Sequence, residues 1–179
     1  GRGTANDVMP DDLDMAWVAA SPYLHLSDAG PAAIAAAQAV QASGGRACLD
    51  GTHYHPTVDA LLPHLEYLVV SRFFGSEYQA HLDGRDLGAA AREYASTLVA
   101  RDQAPHPNPA AMGDSYAPVL AGRSLLEAAK RLRERGPKVV VVTEGEAGCW
   151  CASPDGDFHV PAYVAPQRSE EHTSELQSH

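Results

Sequence analysis

The sequence predicts an α/β fold: three layers, with a mostly parallel sheet and helices on both faces. Apolar strand-like runs alternate with helical stretches along the chain: "YLHLSD", "RACLD", "YLVVS" and "KVVVVT" are each separated by a helical pattern. The run "KVVVVT", residues 138–143, is unbroken and β-branched, as suits a strand covered on both faces of a parallel sheet. The stretch 31–42 is rich in alanine, which lets a helix lie close to a sheet. Parallel neighbours then need right-handed crossovers.

"MPDDLDMAWVAAS" sets Pro10 and two aspartates ahead of an apolar run, a helix start. "YLHLSD" is a short strand with Leu24 and Leu26 on one side. In "GPAAIAAAQAVQASGG", Pro31 takes a first helical position and Gly44 ends the helix. "RACLD" is the second strand, "TVDALLPHL" a brief helix broken near Pro63, and "YLVVS" the third strand. Residues 79–123 read as a long helix-plus-loop insertion. One helix is expected over 86–100, followed by "APHPNPAAMGDSYAP", too polar and too interrupted by proline for an element. Ser124 and Glu127 have capping-box spacing ahead of a helix with Leu125, Ala128, Ala129 and Leu132 on one face. Gly136 and Pro137 close it. After "KVVVVT", the stretches "CWCAS", "PDGD" and "FHVP" read as a hairpin turned by Asp155-Gly156.

At 179 residues the length favours one domain, and 45% hydrophobic with 20% charged residues places the chain among folded globular proteins. No apolar run reaches a bilayer span, and no basic-then-apolar leader is present, so no membrane partner is expected. The chain opens on Gly1-Arg2-Gly3, so further sequence is expected ahead of it. A net charge of -10 repels phosphate backbones. The one dense basic run, "KRLRER" at 130–135, falls in the last turns of the capped helix, where cations oppose the negative end of the helix dipole. Nucleic acid is therefore not an expected partner. The three cysteines are odd in number and lack metal-type spacing; Cys149 and Cys151 flank Trp150 and share a strand face. A reduced, cytoplasmic protein with buried thiols follows.

"TEGEAG", Thr143 to Gly148, lies at the carboxyl end of the strongest strand, the edge where open α/β sheets bind ligands. Its glycines serve either close approach of the backbone to a ligand or simply the turn itself. No Gly-Lys-Ser/Thr follows, so it is not a Walker loop; a strand follows, so it is not a dinucleotide fingerprint. Asp50 ends its strand at the same edge, as a ligand contact or as a turn residue. "DGTHYHP" continues from it, with His53 and His55 spaced to share a face; no third ligand is identifiable, so no metal site is assigned. His25 and Asp28 belong to the same candidate edge.

In this order, "LHLSD", the alanine-rich helix, "ACLDGT", "LLPHLEYLVVS", the capped helix, "KVVVVTEGEAGCW" and "FHVPAYVAP" resemble the core of a PfkB-type carbohydrate kinase, the ribokinase-like family. The resemblance covers about residues 10–78 and 124–166, and its most specific piece is the strand, the Thr-x-Gly-x-x-Gly turn and the hairpin. It implies transfer of the γ-phosphoryl group of ATP, with Mg²⁺, to a hydroxyl of a small-molecule sugar or nucleoside. It implies a nucleotide pocket lined by Thr143, Gly145 and Gly148, with Ser71 beside them; Asp28, Asp50 and His53 are the candidates for a substrate edge. The family often carries Asn-x-x-Glu after the third strand, linked to magnesium and phosphate. Here Ser71-Arg72-Phe73-Phe74 stands there, and Glu77 lies further on than that spacing allows.

The family's Asp-Thr-x-Gly-Ala-Gly-Asp follows shortly after the Phe-x-Val-Pro strand; its glycines open a helix whose amides hold the phosphoryl group, and its last Asp is the base. Here Gln167 and "RSEEHTSELQSH" take that place, and the latter resembles the in-frame translation of a common sequencing adapter. Residues 1–166 are thus expected to form a partial ribokinase-like domain, inactive by itself. Residues 167–179 are expected to be a disordered artefactual tail without core contacts. Two other readings stay open. One is a non-catalytic nucleotide- or small-ligand-binding module using the same edge. The other is another Rossmann-like enzyme, against which the lack of Gly-x-Gly-x-x-Gly between a strand and a helix counts.

Overall fold

Six strands form one sheet, ordered as they occur along the chain, in the computed structural model, which describes residues 8–85 and 122–163. They are β1 (Tyr23–Leu26), β2 (Arg46–Gly51), β3 (Tyr67–Ser71), β4 (Val139–Thr143), β5 (Cys149–Ser153) and β6 (Gly156–Val160). The first four are mutually parallel, while β5 and β6 return antiparallel as a hairpin. The architecture is the expected one, α/β with a mostly parallel sheet. Among the described residues four α-helices accompany it: α1 (Met15–Ala19), α2 (Pro31–Ala42), α3 (Arg72–Leu82) and α4 (Arg123–Arg133).

Register decides what the sheet buries. Leu26, Leu49 and Leu68 align across β1 to β3, and Leu68, Val140 and Ala152 align across β3 to β5. Because side chains alternate along a strand, these residues share one face. Against it pack Ala37 of α2, Phe74 and Tyr78 of α3, and Leu125, Ala129 and Leu132 of α4, in one core cluster. At Gly75 α3 packs against α4 and β4, where an added Cβ would make ordinary contact with Val142, Ala128 and Leu125. The opposite face carries Cys48, Tyr67, Val69, Val139 and Val141, all half-buried. Among the described residues, the helices packed on the sheet lie on the face that carries Leu49, Leu68 and Val140.

Several local expectations change. Residues 79–82, expected to open the insertion, form the end of α3, which begins directly after β3. Its helical period was obscured by Gly75 and by polar residues between Phe74 and Tyr78. The helix expected over 86–100, the proline-rich run, and the tail from 167 lie outside the described residues. "TVDALLPHL" forms two 3-10 turns, Pro56–Ala60 and Leu62–His64, because a proline stands in the first turn of each and divides the stretch. The capping box does not form. Gly122 is the N-cap of α4, which puts Ser124 one residue inside the helix, and Glu127 pairs with Lys130 at 3.2 Å. In the hairpin, Ser153 pairs with Gly156, so Pro154 and Asp155 make the turn.

The two faces of β3 should differ in their response to truncation. Leu68→Ala is expected to cost about 3 kcal/mol in urea denaturation, and Val69→Ala less than half of that. Equal losses would show that both faces are equally enclosed.

Candidate functional site

Parallel pairing brings the carboxyl ends of β1 to β4 to one edge, and most of the candidate residues lie on that edge or just beyond it. Ser71 and Thr143 are direct register partners, and Gly51 lies beside Val70. The Thr143 hydroxyl donates to the Val70 carbonyl at 3.3 Å, tying the end of β4 to β3. Beyond it, the Glu144 amide donates to the Gly148 carbonyl at 2.7 Å and the Gly148 amide to Gly145 at 3.0 Å, closing a tight turn.

Both turn glycines need positive φ, +62° at Gly145 and +98° at Gly148, yet they differ in surroundings. A Cβ on Gly148 would overlap the Val160 carbonyl and the Ala162 amide, so packing alone demands glycine there. A Cβ on Gly145 would meet nothing within 4 Å. The space above Gly145 is open. Glu144 reaches out of the turn: one carboxylate oxygen accepts from the Gly122 amide and the other from the Trp150 indole, each at 2.9 Å. The ring of His159 lies 4.5 Å from that of Trp150, and its Nε2 is 2.8 Å from the Ala147 carbonyl.

Ser71 is spent on local structure. Its hydroxyl accepts from the Phe73 and Phe74 amides at 3.2 Å, as the N-cap of α3, and donates to the Thr52 carbonyl at 2.6 Å. A direct nucleotide contact by this hydroxyl, as the resemblance implied, would require one of these bonds to break. Thr52 opens the loop after β2, and Glu77 of α3 holds the same loop. One oxygen of Glu77 is 3.0 Å from His53 Nδ1, and the other accepts from the Tyr54 amide at 2.7 Å. Sequence spacing had set Glu77 aside. Once α3 starts at Arg72, Glu77 falls on the helical turn after Phe73 and Phe74, where it can reach the β2 loop. The period of α3 was the missing signal.

Tyr54 is buried between Phe74 and Tyr78, ring centroids 5.5 and 5.3 Å away, and its hydroxyl donates to Asp59 at 3.0 Å. Burial, and then the bond to Asp59, push its phenol well above the usual tyrosine range. It stays neutral and structural. Asp50 is exposed at the end of β2; Asp28, two residues beyond β1, accepts from the Ala29 amide at 2.7 Å. His25 is exposed on β1. His53 and His55 do not act as a pair, since His53 meets Glu77 and His55 caps the turn before Thr57. Among the described residues no group of three His, Cys, Asp or Glu is placed to hold a metal ion.

The basic run is engaged within the chain. Lys130 pairs with Glu127 and Asp157, Arg131 donates to Gln79, Arg133 to the Lys138 carbonyl, and Arg135 meets Asp59. The three cysteines are free. Burial raises the thiols of Cys48 and Cys151, disfavouring the reactive thiolate. No helix among the described residues is long and apolar enough to cross a membrane.

No protein-family model and no curated protein matches the chain. Solved structures do. The ribokinase from Thermotoga maritima superposes with a TM-score of 0.56 at 15% identity, covering 87% of this chain and 40% of that one. The Arabidopsis thaliana ribokinase complexed with ribose and ATP gives 0.55 at 17%, covering 86% and 39%. A PfkB protein from Polaromonas sp. JS666 gives 0.53 at 16%, covering 88% and 46%. The chain has the ribokinase-like fold. It spans less than half the length of these structures, and at such identities the likeness is one of fold.

Within this ribokinase-like edge the two turn glycines should separate. Gly148→Ala is expected to cost about 3 kcal/mol through strain and overlap, and Gly145→Ala about 1 kcal/mol from φ alone. Chemical denaturation checks the order, and the reverse order would show that the turn is built differently.

Proposed function

We propose that this chain supplies the nucleotide-side edge of an ATP-dependent kinase acting on a hydroxyl of a sugar or nucleoside. The observation that carries the reading is the Thr143–Gly148 turn. It stands at the carboxyl edge of the parallel strands, with open space over Gly145, on a fold shared with a ribokinase complexed with ribose and ATP. The turn fits a nucleotide, because its backbone can be approached closely at Gly145. The Thr143 hydrogen is already given to Val70, so what its hydroxyl offers a ligand is a lone pair. That suits a hydroxyl or amino donor of the nucleotide better than a phosphate oxygen.

ATP would supply the phosphoryl group; the residues of this chain bind and orient. Asp28, Asp50 and His53 are the proposed acceptor-side residues of the edge. Ser71 and Glu77 contribute by fixing the β2 loop between them. Mg²⁺ would enter with the nucleotide phosphates. The described residues offer no three-ligand group, so none is assigned to the ion. Neither Asp28 nor Asp50 opens a helix behind a Gly-x-Gly run, so no described carboxylate is assigned as the base.

The 179-residue chain is therefore expected to bind a non-hydrolysable ATP analogue saturably in calorimetry, while consuming no ATP across a panel of sugars and nucleosides. Thr143→Val should weaken the analogue by up to about tenfold, the value of one hydrogen bond. Absence of binding sinks the nucleotide reading. Sugar-dependent ATP consumption overturns the expected inactivity.

A further inference from the structure

Glu144 occupies the position between Thr143 and Gly145, the two residues proposed to meet the nucleotide, and its side chain points away from them. Its half-buried carboxylate spans two other elements. One oxygen takes the Gly122 amide, where the chain enters α4, and the other takes the Trp150 indole N–H on β5, both at 2.9 Å. Hydrogen bonds to an ionised acceptor are stronger than neutral ones, and here both oxygens are used. Next to it stand two glycines at positive φ, Gly145 and Gly148, which by themselves give the turn many conformations. The β5–β6 hairpin adds a brace at the far end of the turn, where the His159 ring lies against Trp150 and its Nε2 meets the Ala147 carbonyl.

We propose that Glu144 is a positioning residue for the nucleotide turn: its carboxylate bridges the start of α4 to Trp150 and holds Thr143 and Gly145 in the ligand-ready arrangement. The proposal rests on the nucleotide reading of the turn. A turn held by its backbone alone would have to be ordered when the nucleotide arrives, and that ordering would be lost from the affinity. With the carboxylate in place the ordering is done on folding. The bridge also makes the turn responsive to the entry into α4, since any shift of Gly122 is felt one side chain away from Thr143.

The two bonds impose a strict chemical demand. An amide in place of the carboxylate has one acceptor oxygen, and its NH₂ would face one of the two N–H donors. Glu144→Gln therefore keeps size and loses one bond. Trp150→Phe removes the indole partner and keeps an aromatic ring beside His159.

The test uses the 179-residue chain carrying Trp17→Phe, which removes a tryptophan that is 73% exposed and leaves Trp150 as the fluorescent reporter. Glu144→Gln is expected to red-shift the Trp150 emission, to increase its quenching by acrylamide, and to weaken binding of the non-hydrolysable ATP analogue about tenfold. In calorimetry, Trp150→Phe should weaken the analogue as well, and adding Glu144→Gln to it should cost less than Glu144→Gln costs alone. An unmoved Trp150 emission together with an unchanged affinity in Glu144→Gln overturns the bridge. A moved emission with unchanged affinity overturns the positioning role and leaves a structural contact. Should Glu144→Gln fail to fold, Trp150→Phe decides: unchanged affinity with an unchanged melting temperature overturns the proposal, and weakened affinity supports it. Failure of the chain without either change to bind the analogue is a different result, which removes the nucleotide reading and this role with it.

Discussion

The parallel register of β1 to β4 is the constraint on which everything else depends. It places Leu26, Leu49, Leu68 and Val140 in line on one face and so creates the surface that α2, α3 and α4 cover. The same register brings the carboxyl ends of four strands to one edge. In a parallel sheet the chain must leave that edge through a loop after every strand, so residues distant in sequence gather there. Ser71 beside Thr143 is the clearest instance: 72 positions apart in the chain, they are neighbours across one ladder step.

At that edge, order comes from side chains reaching sideways into the neighbouring loop. Ser71 binds Thr52, Glu77 binds His53 and Tyr54, Thr143 binds Val70, and Glu144 binds Gly122 and Trp150. Each bond ties one element or its connection to another. The β2 loop is anchored three times from α3 and its cap, and the β4 turn twice through Glu144. Since several of these groups are half-buried, losing one partner strands a polar atom, which costs more than the bond itself returns. The loops of this edge form a linked rim.

The charged residues of α4 serve the same end. Its cations, with Arg135 just beyond it, pair with Glu127, Asp157 and Asp59 or with Gln79 of α3 and the Lys138 carbonyl ahead of β4, so the most basic stretch of an acidic chain joins the helix to the strands and turns around it. Such exposed pairs add little stability individually. Their effect is orientation: Lys130 to Asp157 links α4 to β6, the strand whose His159 braces the proposed nucleotide turn.

Much of the sheet was legible in the sequence, because period-two burial and β-branched runs are local properties. The strands, the hairpin and the position of the Thr143–Gly148 turn follow from them, while α2 and α4 follow from alanine content and the helical period. The tertiary structure decided the rest. It showed that α3 begins at Arg72, since a helix interrupted by Gly75 earns its burial from contacts with α4 and β4 that no local pattern displays. It replaced the capping box at Ser124 with a cap at Gly122, whose amide is taken by Glu144 from another part of the chain. It separated Gly148, required by the Val160 backbone, from Gly145, open to solvent, though the two look alike in sequence. Local propensity and period are written residue by residue, whereas which carboxylate meets which amide depends on how distant segments pack.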